Sequence, residues 1–129
     1  MKFNIKNISV YGSYTLLILL IIFSFLYVKQ STYQINKKLD VIKISLENDD
    51  WDSSISLFSE FELMHKKELE CFSLFSNKND LHEVLLSIKD ISTNMAMKNR
   101  DICLSKIEIL KFYIEHIYDS QIPKIRNIL

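Results

Sequence analysis

Three histidines, His65, His82 and His116, and two cysteines, Cys71 and Cys103, are the residues able to build a metal or redox centre. Glu62-Leu63-Met64-His65 has the Glu-x-x-His spacing that carboxylate-bridged di-iron bundles use. That chemistry needs a second such pair and two more inward glutamates on other helices. No second copy occurs, and Glu68, Glu83 and Glu115 are separate carboxylates. The match is therefore expected to be a coincidence on a half-exposed helix face. Glu115 and His116 are adjacent, so on a helix they point about 100° apart and cannot chelate together. His82 and Glu83 meet the same objection. Nothing in the spacing of the three histidines asks them to converge. The cysteines form no Cys-x-x-Cys pair, so thiol redox catalysis has no motif to rest on. They read as free cysteines of a helical core, and a disulfide becomes allowed if the domain is exported. No serine sits in a Gly-x-Ser-x-Gly setting. Trp51 is expected to anchor a core. No catalytic, cofactor-binding or metal residue is assigned, and the expectation is a protein that is not an enzyme.

The elements that position these residues come from composition and period. One Gly and one Pro in 129 residues exclude most β architectures, whose turns need both. They exclude glycine-rich phosphate loops too, since Gly12 lies inside an apolar run. With 16 basic and 16 acidic side chains and no arginine cluster, nucleic-acid binding is not expected. Nineteen Ile, fourteen Lys and nine Asn against one Ala reflect an AT-rich coding bias of a bacterial kind.

Ile8 to Val28 is a run of 21 uncharged residues, 16 of them apolar. As a helix, Val10 to Val28 rises roughly 28 Å, close to the hydrocarbon thickness of a bilayer. Tyr11, Tyr14, Tyr27 and Tyr33 stand near its ends, where amphipathic rings favour the interface. A cleaved signal peptide would have a shorter apolar stretch and small residues at the cleavage site. Tyr27-Val28-Lys29-Gln30-Ser31 offers none. The reading is a short N-terminal tail over 1–7, an uncleaved signal anchor over 8–28 and a helical domain over 29–129. Lys29, Lys37, Lys38 and Lys43 come after the run, and a plain count of basic residues would hold that side in the cytoplasm. That count is calibrated on short loops, and the segment here is long. A short leading stretch carrying Lys2 and Lys6 is typical of an anchor that exports its C-terminal domain. The expected topology is a single pass through the cell membrane, N-in and C-out, with an extracytoplasmic domain.

Beyond Val28 the chain reads as helix throughout. Ile35, Leu39, Ile42 and Leu46 form an amphipathic stripe that continues the membrane helix as a stalk. Asp50 or Asp49 caps a second helix from Trp51, with Ile55, Phe58, Phe61 or Glu62, His65, Leu69 and Phe72 inward. Asn77-Lys78-Asn79-Asp80 is a break before a third helix carrying Leu81, Val84, Leu85, Ile88, Ile91 and Met95. Lys98-Asn99-Arg100-Asp101 precedes a fourth with Cys103, Ile107, Leu110, Tyr113, Ile114 and Ile117, ended by Pro123. The apolar tail, Ile122 to Leu129, is expected to pack on the bundle. The fold class is all-α: a transmembrane helix, its stalk, and a small antiparallel bundle of about three helices. A homo-oligomer through the 35–46 stripe is allowed, but the period lasts under two heptads. Ser9 and Ser13 give one small-xxx-small pair in the span.

Asn48-Asp49-Asp50-Trp51, then Asp80-Leu81-His82-Glu83-Val84 with Ile88 and Ile91, then Leu110-Lys111, Glu115-His116-Ile117-Tyr118-Asp119 and the terminal Asn127-Ile128-Leu129 make an ordered series. With the single N-terminal membrane helix, the chain resembles DUF 4363, a domain of unknown function. That resemblance implies a small single-pass protein of clostridia and related spore-forming bacteria, and it covers nearly the whole chain. The family pattern usually carries further tryptophans in the second helix and an Asp-His pair before the third. Here Trp51 stands alone and Asn77-Lys78 occupies the place of that pair. The resemblance implies class and topology, and no activity. The functional expectation is a non-catalytic protein-interaction module at the cell envelope, with a protein partner and the membrane. The alternative is a ligand- or metal-binding sensor, using His65, His82 or His116, that signals through the membrane helix.

Overall fold

The structure, a computed structural model, describes residues 5–73 and 78–121, all in helices or the tight turns between them. The helices are α1 (Ile5–Glu47), α2 (Trp51–Ser73), α3 (Lys78–Ala96) and α4 (Arg100–Gln121). The apolar tail after Gln121 lies outside the described residues.

The run and the stripe are one element. α1 has 43 residues and rises about 65 Å. Its two parts differ in what surrounds them. From Ile8 to Ser24 every side chain is exposed, apolar ones included. From Phe25 onward one face becomes covered, and Ile35, Leu39, Ile42 and Leu46 are buried. The stripe expected to be a stalk is therefore the first helix of the bundle. α1 packs on α2 and α4, and α3 packs on the same two. The result is a four-helix antiparallel bundle: α2, α3 and α4 are the three helices expected, and the C-terminal part of α1 is the fourth. The stripe faces inward, so it is not free to pair with a second copy.

Two tight turns close the end far from the apolar run. Asp49, at φ 55°, and Lys98, at φ 51°, take the left-handed conformation after α1 and α3. After α1, the amide of Asp50 donates to the Ser45 carbonyl at 3.1 Å and that of Asp49 to Leu46 at 3.0 Å. After α3, the Asn99 amide donates to Asn94 at 2.9 Å and that of Lys98 to Met95 at 3.0 Å. These paired bonds satisfy carbonyls that the helix end would leave open, a position glycine usually fills. Asp50 then caps α2, its Oδ1 accepting the Ser53 amide at 3.2 Å. The Ser53 hydroxyl and amide hold the Asp50 carboxyl below its ordinary value. Arg100 joins the two turns, its guanidinium donating to both carboxylate oxygens of Asp49 at 3.1 and 3.0 Å.

The core joins Ile35, Leu39, Ile42 and Leu46 to Phe58, Phe61 and Leu69 of α2, Val84, Ile88, Ile91 and Met95 of α3, and Cys103, Ile107, Leu110, Ile114 and Ile117 of α4. One expected core position near the first turn differs. Ile55 is exposed and Ser54 is buried in its place. Ser54 lies next to the short α1–α2 turn, where its small polar side chain reaches both α1 and the turn. The Ser54 hydroxyl lies 2.9 Å from that of Ser45 and donates to the Asp50 carbonyl at 2.7 Å. α3 also starts earlier than the polar break suggested, at Lys78. Asp80 in its first turn suits the positive end of the helix dipole.

An outer polar ladder sets the α1–α4 register. Asn36 donates to Glu115 at 3.2 Å, Lys111 to Asp40 at 2.5 Å and Lys43 to Glu108 at 2.8 Å. Each rung lies one turn above the last. Exposed pairs of this kind add little stability each, but they select one alignment. The Lys43 ammonium is held above its ordinary value, first by its hydrogen bond to Glu108 and then by that carboxylate's charge.

Candidate functional site

Polar groups of all four helices gather in the third of the bundle nearest the apolar run. His65, on the inner face of α2, is 8% exposed, and its ring centroid lies 5.3 Å from that of Phe61. Its Nδ1 is 3.0 Å from Glu68 Oε2. The Ser31 hydroxyl of α1 donates to the other oxygen, Glu68 Oε1. On the opposite side of the same layer, His116 Nδ1 lies 3.1 Å from Oδ2 of Asp80, which is buried at the start of α3. The His116 ring stacks on Phe112 at 6.3 Å. Thr32 is also buried here. His65 Nε2 and Asn36 Oδ1 are buried and have no hydrogen-bond partner among the described residues.

This geometry constrains the chemistry. A carboxylate facing Nδ1 makes that nitrogen the donor in neutral imidazole, leaving Nε2 a bare acceptor. An acceptor without a partner is tolerated better than a buried donor without one. In a nucleophile relay the histidine sits between serine and carboxylate. Here the carboxylate sits in the middle, and the Ser31 proton goes to Glu68. The trio ties α1 to α2 and lacks the order of a serine–histidine–carboxylate relay.

The sequence candidates separate in space. Glu62, the carboxylate of the Glu-x-x-His match, lines a surface groove between α2 and α3 with Lys66, Glu70 and Lys89. His82 is exposed on α3. His65 and His116 go to different carboxylates, so the three imidazoles do not meet. Among the described residues no three His, Cys, Asp or Glu side chains stand where they could hold a metal ion. Cys103 is buried, its thiol pushed up by burial and its Sγ 3.9 Å from the Ile91 carbonyl. Cys71 is exposed, contrary to its expected place in the core. Because Ser31 faces Glu68 and Asp49 faces Arg100, the two cysteines lie at opposite ends of the bundle, roughly 30 Å apart along its axis. A disulfide needs Cα atoms within about 7 Å, so these two cannot pair. Trp51 is half-buried, packed on the core and lining the cleft between the two turns. The Glu68 and Asp80 partnerships escaped the sequence reading, since both depend on which helix lies alongside.

The fold thus defines a helical-bundle protein whose first helix is long and apolar enough to cross a membrane, its apolar window wholly unburied. The chain belongs to the family described as domain of unknown function DUF4363, matched over residues 22–128. The match begins inside the apolar run and takes in all four helices of the bundle. No curated protein and no solved structure matches the chain.

Proposed function

We propose that the protein is a single-pass, membrane-anchored bundle that serves as a non-catalytic protein-interaction module at the cell envelope. The observation that carries the anchor is the continuity of α1. The same helix presents bare apolar side chains on every side from Ile8 to Ser24 and buried core side chains from Ile35 to Leu46. A helix apolar all round must be covered by something, and a bilayer suits that length. In this reading the run is an uncleaved signal anchor, with Lys2 and Lys6 inside and the bundle outside. Leu63, Ile44 and Phe112, exposed by 84%, 57% and 62%, are large apolar groups outside the core that a protein partner would cover. A photocrosslinking residue at Leu63 or Phe112, at native expression, is expected to trap one specific partner. Repeated failure at both positions would sink the interaction reading.

One observation favours a second reading, a sensor that binds a small ligand or metal and signals along α1. It is the buried, unpartnered Nε2 of His65 beside the Glu68–Ser31 link to α1. Elemental analysis of the purified chain and thermal shifts with divalent metals test it. No stoichiometric metal and no shift would set this reading aside.

A further inference from the structure

We propose that the bundle is docked directly on the bilayer, with the C-terminal turns of α4 lying in the headgroup layer beside the span. This rests on the reading of α1 as a membrane helix. The carrying contact is between Phe25 and Tyr118, whose ring centroids are 6.0 Å apart. Phe25 belongs to the apolar run, and Tyr118 belongs to the last turns of α4. The bundle therefore reaches down onto the run instead of standing off on a stalk.

Length decides where the lipid must end. Ile8 to Ser24, the part of the run that no described helix covers, rises only roughly 25 Å. A hydrocarbon core of about 30 Å needs some 20 residues. Its edge therefore falls within Phe25–Val28, the level of Tyr118. A tilted helix would draw still more of the run into lipid. Three further features fit that level. Tyr27, 55% exposed, supplies an amphipathic ring beside it. Lys29 comes at once after the run, suited to phosphate headgroups. α2 runs to Ser73 and its exposed Cys71 lies near the level of Val28, so α2 as well as α4 reaches this level. The partner of this surface is the headgroup layer of the membrane that α1 crosses.

The test uses the full chain in phosphatidylcholine vesicles containing a lipid with a nitroxide quencher high on its acyl chain. A single tryptophan is placed by Tyr118→Trp, or in the span by Phe23→Trp, each with Trp51→Phe. The unaltered chain reports from Trp51 at the far end. The expected result is strong quenching at positions 118 and 23 and none at Trp51. Quenching at 23 with none at 118 would overturn the docking and leave the membrane helix intact. No quenching at 23 would overturn both. Should Tyr118→Trp disturb the fold, an environment-sensitive dye on Cys71 reads the same level from α2, since Cys103 is buried. A water-like emission there, with Phe23→Trp quenched, would likewise reject the docking.

Discussion

At the scale of the residue, the buried histidine is held by a neighbour that spacing alone does not choose. His65 stands three residues from both Glu62 and Glu68, and either can share its side of a helix. Only the position of α1, which brings Ser31 to Glu68, decides between them. His65→Leu leaves a partly buried carboxylate without its ring partner and is expected to cost about 1–3 kcal/mol. The double variant with Glu68→Leu removes both groups and should recover most of that loss. A denaturant-unfolding cycle checks this, and a double variant no better than the single would refute the pairing. The Asp50 cap has a sign that pH can read. Its carboxyl is held below the ordinary 3.8, so its contribution is present above that value and is lost as pH falls through the folded value. The melting-temperature gap between the unaltered chain and Asp50→Ala should be constant near neutrality and narrow only below pH 3.8. Lys98, left-handed without being glycine, predicts that Lys98→Gly stabilises by about 1 kcal/mol, read as a raised melting temperature.

At the scale of the element, the start of α2 was legible and helix surroundings were not. Asp50 announces α2 because capping is local, a matter of one side chain and the next turn. The stripe Ile35–Leu46 was equally plain, yet its period only says that a covered face exists. A stalk, a coiled coil and a bundle helix write the same pattern. The structure covers that face with α2 and α4, which no short-range signal could announce. Ser54 stands inside instead of Ile55 for the same reason, since its partners Ser45 and Asp50 belong to the neighbouring helix and the turn. If α1 is part of the core, a fragment over 48–129 should lack cooperative unfolding while 29–129 shows it. Equal cooperativity in the two fragments would return the stripe to the role of a stalk.

At the scale of the whole molecule, zero net charge and an ordinary apolar content conceal two unlike parts sharing one helix. One part is uncovered and apolar all round, and the other is a bundle locked by a polar ladder and by Arg100 across its far turns. Continuity between them means that a rotation or shift of the span must move Ile35 and Leu39 within the core, where close packing resists it. The most direct test of this account is a labelling measurement on intact cells. Ser105 is exposed on α4 and Cys103 is buried, so Ser105→Cys with Cys71→Ser gives one accessible thiol on the bundle. A membrane-impermeant maleimide is expected to label it before lysis, and the labelled chain is expected to stay in the membrane fraction after an alkaline wash. Labelling only after lysis would contradict the outward bundle, and a chain released by the wash would contradict the membrane helix itself.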